Sequence, residues 1–115
     1  MAERIPLKRR FPRVPYLGPV LVKKIGGEEA EDLARTRVLG LGGCMFVSQR
    51  SLGRGSMLAL LLSIKGTIVR TQARVVYELH KSPSEVEVGV EFLNLDPQAR
   101  AVLAGAVPTP ASGAY

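Results

Sequence analysis

The chain has 115 residues, room for one domain with a modest core, and 46% of them are hydrophobic while only 5% are aromatic. Its formal charge of +6 invites an anionic partner, whether a nucleotide, a polyanion, an acidic protein face or an anionic membrane surface. One cysteine excludes an internal disulfide, one histidine leaves no cluster at metal-ligand spacing, and the longest apolar run, Met57 to Leu62, is far too short to span a bilayer.

With no apolar segment behind its basic N-terminus to make a signal peptide, the chain is expected in the cytoplasm, without membrane insertion. Twelve glycines and eight prolines favour short strands joined by turns over a helix bundle.

Residues 1–13 read as a basic arm, with Arg4, Lys8, Arg9, Arg10 and Arg13 supplying five of the 16 Lys and Arg. Pro6, Pro12 and Pro15 bias the residues before them towards extended backbone. A first strand is expected between Val14 and Lys24, best from Pro19 to Lys23, with a break or bulge at Gly18-Pro19. Gly26-Gly27 and the acidic cluster to Asp32 read as a solvated loop or one helical turn. Arg35 to Leu39 reads as a second strand and Cys44 to Ser48 as a third, separated by Gly40-Leu41-Gly42-Gly43, where backbone freedom is expected to matter.

From Ser56 to Ile64 the even positions Leu58, Leu60, Leu62 and Ile64 line one face, and Lys65-Gly66 closes that strand. The clearest pattern follows. Odd positions from Val69 to Leu79, Tyr77 included, are predicted to face inward, with Arg70, Gln72, Arg74 and Glu78 outward. After a turn at His80–Ser84, Val86, Val88, Val90 and Phe92 point inward and Glu85, Glu87 and Glu91 outward, so the pair predicts an antiparallel hairpin with Arg facing Glu. Asp96 as N-cap, Pro97 at the first helical position, and Ala99, Val102, Leu103 and Ala106 predict a closing helix that ends before Pro108. The whole predicts a mainly β fold, a small antiparallel six-stranded barrel over residues 14–107 with one C-terminal helix, and a disordered tail over 108–115.

Catalysis finds little support in these residues. His80 falls in a turn, Cys44 opens an apolar strand and reads as a packed thiol, and no carboxylate pair is held in an apolar pocket. The glycines at 40–43 lack the Lys-Ser/Thr of a phosphate-cradling loop. Nucleic acid is disfavoured as a partner. Phe46, Tyr77 and Phe92 belong to apolar strand faces, leaving only Phe11 and Tyr16 near the cations as stacking platforms.

Lys8-Arg9-Arg10-Phe11-Pro12-Arg13-Val14-Pro15, the run RVLGLGGCMFVS from Arg37, the Gly-bounded strand GSMLALLL and the closing GVEFLNLDPQARAVL together resemble the PilZ domain. This is a bacterial family of cyclic di-GMP receptors and their non-binding relatives, and the resemblance runs from about Lys8 to Leu103. It implies no catalytic activity and no cofactor, with cyclic di-GMP as a regulatory ligand. The expected role is a single-domain adaptor that passes a signal to a partner protein in control of motility, pili or exopolysaccharide output.

The family grips the dinucleotide with an R-x-x-x-R arm, matched by Arg9 and Arg13 with Arg10 adjacent, where a guanidinium can both stack and pair bidentately. Its second motif, (D/N)-x-S-x-x-G, aligns with residues 38–43. Here only Gly43 matches, Val38 standing in place of Asp/Asn and Gly40 in place of Ser. The resemblance thus implies a ligand site of Arg9, Arg10, Arg13, Gly40, Gly42 and Gly43. Losing one charged and one neutral hydrogen bond costs roughly 2–4 kcal/mol. That amounts to about 30- to 1000-fold in affinity. The alternative expectation is a ligand-independent interaction module that no longer binds cyclic di-GMP.

Overall fold

Alternation of aliphatic with polar or small residues at period two drives this chain into a sheet that closes on itself. The computed structural model describes residues 13–26 and 31–107. Residues 1–12 of the expected arm, with Arg9 and Arg10, residues 27–30 of the acidic cluster and the tail over 108–115 lie outside them. Arg13, expected in the arm, opens the first strand, and Glu31 and Asp32, expected in a loop or helical turn, begin the second. Six strands run β1 (Arg13–Lys24), β2 (Glu31–Gly40), β3 (Gly43–Ser48), β4 (Met57–Ile64), β5 (Thr67–Ser82) and β6 (Glu85–Leu93), followed by α1 (Pro97–Ala106). All neighbours are antiparallel and the order β1-β2-β3-β6-β5-β4 closes into a barrel.

The interior is aliphatic, as the composition requires. Leu58, Leu60, Leu62 and Ile64 of β4 all point inward and are buried, facing Val20, Val22, Val69, Val75, Val86 and Val88, with Phe46 the largest buried side chain. Lys65 and Gly66 both take positive φ (50° and 83°), the two-residue turn whose twist matches that of the strands it joins. Helix α1 starts as the sequence predicts, with Asp96 Oδ1 accepting from Ala99 N at 2.7 Å and Pro97 in the first turn. It buries Ala99 and Leu103 against the β4–β5 end of the barrel, where Lys65 Nζ donates to the Gly105 carbonyl at 3.2 Å. Among the described residues no helix is long and apolar enough to cross a membrane.

The opposite end is closed by the loop between β3 and β4, which inserts the buried Leu52. The hairpin pattern breaks down at this end. β5 reaches Ser82, so the turn is only Pro83-Ser84 and His80 stands on the strand. Val75 pairs with Val90 but Tyr77 with Gly89, which makes Val76 an extra residue, a β-bulge that moves the side chains from Tyr77 to His80 to the other face until a second shift before Ser82. Tyr77 and Leu79, predicted inward, therefore lie outside at 38% and 50% exposure. The Tyr77 ring covers Gly89 so closely that a Cβ there would overlap it.

The same bulge turns Glu78, predicted outward, towards the loop, leaving its side chain 10% exposed. Its carboxylate accepts from Ser51 Oγ at 2.6 Å, Leu52 N at 2.6 Å and Gly53 N at 3.1 Å. Burial alone pushes this carboxyl up. The three hydrogen bonds, aided by the nearby His80, outweigh it and hold the group below the usual glutamate value of 4.5.

The glycines between β2 and β3 also differ from expectation. Positive φ occurs at Gly26, Gly53, Gly55 and Gly66, not in the 40–43 stretch, so unusual backbone angles are not what that stretch requires. Gly40 ends β2 and Gly43 opens β3, leaving Leu41-Gly42 as the turn. At Gly43 the need is close approach, because a Cβ would overlap the Val90 carbonyl of β6.

Two outcomes test these contacts. Glu78→Ala leaves two backbone N–H groups without an acceptor and should lower the urea-unfolding free energy by about 2–3 kcal/mol. Because the folded-state pKa is depressed, this contribution is present above pH 4.5 and lost as pH falls through the folded value. The gap between wild type and variant should close in acid and stay constant from pH 6 to 8. Gly43→Ala should cost about 1–3 kcal/mol in the same assay, since backbone must give way. A neutral result would mean that β3 and β6 can part at no cost.

Candidate ligand-binding site

Of the six residues singled out in the sequence, Arg13, Gly40, Gly42 and Gly43 fall within the described part, and the antiparallel pairing of β1 with β2 brings them to one end of the barrel. Arg13 is the direct cross-strand partner of Gly40, Pro15 that of Val38. Arg13 is exposed and takes part in further interactions of its own. Its charge is felt by the buried thiol of Cys44, where burial outweighs the opposing pull of the Arg13 guanidinium and the pKa is pushed up to about 12. A thiol so shifted stays protonated at neutral pH and serves as core.

Gly43 pairs with Glu91 of β6, and the Gly42 carbonyl accepts from Phe92 N at 2.9 Å, so the turn is tied to a central strand. Glu91 is in turn engaged by Arg74 of β5, the one Arg–Glu pair of the predicted hairpin to form across the strands as expected. The outer surface here combines a cation at Arg13, exposed backbone at Gly42 and the apolar Val38, which faces Met45 of β3, while Gly40 beside Arg13 is buried. Such a surface can accept an anionic group at Arg13. The absence of a side chain at the exposed Gly42 lets a flat ligand approach the backbone there.

A second feature carries no motif. Thr36 pairs with Phe46 and Val38 with Met45, so Arg37 is a bulged residue on β2. Arg35 and Arg37 point outward on either side of Thr36, which turns inward and donates to the Gly18 carbonyl at 3.0 Å, and the bulge lets Leu39 beyond them enter the core. Both arginines line a groove of about 470 Å³ with Gln49, Ser84 and Glu85. Only the alternation Arg35-Thr36-Arg37, with a small polar residue between two cations, could have signalled it.

The PilZ domain family model matches residues 7–107. The fold is similar to that of the PilZ domain with c-di-GMP of YcgR from Escherichia coli, at TM-score 0.71 and 15% identity over 87% of this chain and 88% of that one. It is also similar to the Bacillus subtilis inhibitor of motility MotI, at TM-score 0.71 and 17% identity over 86% of this chain and 49% of that one. The PilZ domain of CeSA from a cellulose-synthesizing bacterium follows at TM-score 0.62 and 16% identity, over 84% and 94% of the two chains. The chain thus spans most of the isolated domains but about half of MotI. No curated protein sequence matches it. With a family match over 7–107 and a closed six-stranded barrel ending in a single helix, the chain belongs to the PilZ domain family.

Proposed function

We propose that this PilZ domain is a non-enzymatic, cytoplasmic adaptor responsive to cyclic di-GMP. In this reading Arg9, Arg10 and Arg13 of an arm over residues 1–13 close on the dinucleotide against Gly40, Gly42 and Gly43, and a partner protein reads the result. The regulated output would be motility, pili or exopolysaccharide. The observation that carries the reading is the pairing of Arg13 with Gly40, which joins the last residue of the R-x-x-x-R motif to the turn that forms the second motif in this family. The solved YcgR domain with c-di-GMP, similar in fold, adds support.

Val38 and Gly40 favour a second reading, a protein-interaction module that has given up the dinucleotide. The two hydrogen-bonding side chains of the second motif are replaced by an isopropyl group and a hydrogen. Nothing else at these positions on β2 supplies their chemistry.

Isothermal titration calorimetry separates the two. Under the first reading the protein gives a measurable heat of cyclic di-GMP binding, and Arg9→Ala or Arg13→Ala abolishes it. Val38→Asp combined with Gly40→Ser should tighten binding by about 30-fold or more. A flat titration at high micromolar ligand would sink the receptor reading. Binding without any gain in the double variant would show that residues 38–43 do not read the ligand.

A further inference from the structure

The outer face of the barrel bears an apolar row that the core does not use. Leu21 of β1 is the direct partner of Leu33 on β2 and of Leu61 on β4, and all three point outward. Leu33 is 75% exposed, and Leu17 and Ile68 extend the same surface at 70% and 61%. A monomer scatters single exposed leucines over its surface. A row in register across three adjacent strands is a patch.

Cations border this row. Arg70 is the cross-strand partner of Leu61, and Arg35 lies two residues beyond Leu33, at the mouth of the groove it shares with Arg37. Among the described residues neither Arg35 nor Arg70 has a carboxylate partner, and Arg37 reaches Glu85 only at 4.0 Å. The chain's +6 charge points the same way. A surface of leucines with underused guanidinium groups on both sides is complementary to a segment that alternates apolar and acidic side chains.

We propose that this face, across β2, β1 and β4, docks an acidic, leucine-bearing segment of a partner protein. The partner's apolar side chains lie on Leu33, Leu21 and Leu61, and its carboxylates reach Arg35, Arg37 and Arg70. A protein segment fits better than an anionic bilayer. The arginines at 35 and 37 line a groove rather than a plateau, and Gln49 and Ser84 offer it hydrogen bonds that a peptide backbone can use. The proposal extends the adaptor reading but does not need the dinucleotide, because the Leu21–Leu33 pair lies well along the β1–β2 ladder from Arg13 and Gly40.

The test uses the full chain free of dinucleotide and a fluorescein-labelled synthetic peptide in which leucine and glutamate alternate, followed by fluorescence anisotropy. A peptide alternating leucine and lysine serves as control. The acidic peptide should bind and the basic one should not. Leu33→Ser should weaken binding by about tenfold or more. Arg35→Glu should weaken it by about tenfold and reduce its salt dependence. Both side chains are exposed, so thermal melts of the variants should match wild type, and amide shifts on titration should centre on Leu21, Leu33, Arg35 and Leu61.

Failure of the acidic peptide to bind, or equal affinity in both variants, overturns the proposal. Binding to phosphatidylserine vesicles in place of the peptide overturns it in favour of a membrane surface. A flat cyclic di-GMP titration leaves it standing, and its own failure leaves the dinucleotide reading untouched.

Discussion

Closure of the sheet is the constraint on which the rest of this molecule depends. β1 must pair along one side with β2 and along the other with β4, so Val20 faces Ala34 across one ladder and Leu62 across the other. A closed barrel has no edge strand inviting aggregation and encloses an interior that side chains alone must fill. With so few aromatics, the filling falls to Leu and Val in layers, and only Phe46 brings bulk to the centre. Each end then needs a plug. Leu52 serves at one end, and α1, through Ala99 and Leu103, at the other.

Long strands that curve around a small barrel cannot keep strict alternation, and the bulges are where they yield. The irregularity between Pro15 and Gly18 in β1 frees Tyr16 to reach across, its hydroxyl donating to the Ser63 carbonyl at 3.2 Å and accepting from Lys65 N at 2.9 Å. The bulge at Val76 aims Glu78 at the Leu52 loop, and that at Arg37 turns Leu39 into the core. The bulges at Val76 and Arg37 therefore convert positions that alternation assigns to one face into contacts on the other.

This explains which features the sequence revealed. β4 and the first half of β5 were legible because side-chain parity never changes in them, and α1 because its cap and proline act locally. The inward placement of Tyr77 and Leu79 failed because one inserted residue reverses parity, and nothing in Val75-Val76-Tyr77 marks Val76 as extra. At Gly43 the need for glycine was legible but its cause was not. The cause is the carbonyl of Val90, far away in sequence. The family motifs picked out Arg13 and Gly40 with no knowledge of their pairing, whereas the Arg35–Arg37 groove belongs to no motif and takes shape only when the fold brings Gln49, Ser84 and Glu85 beside it.

The same bulges govern how the two faces of β1 relate. Its first residues, Arg13 to Pro15, ladder onto residues 38–40 of β2, and the segment from Gly18 to Lys23 ladders onto residues 31–36. Between them the register slips by one residue, and the Thr36 hydroxyl holds the slip by donating to the Gly18 carbonyl. The second segment is fixed from the other side as well, by β4 against Val20 to Lys24, while β4 does not reach Arg13. A shift of the Arg13 end can thus be absorbed at the bulge before it reaches Leu21 and Leu33. A ligand held at Arg13 and a partner held at Leu33 share a strand but stand on separately anchored parts of it. Communication between them would have to run through new surface created beside Arg13, because the doubly paired segment beneath Leu21 has no free edge along which to move.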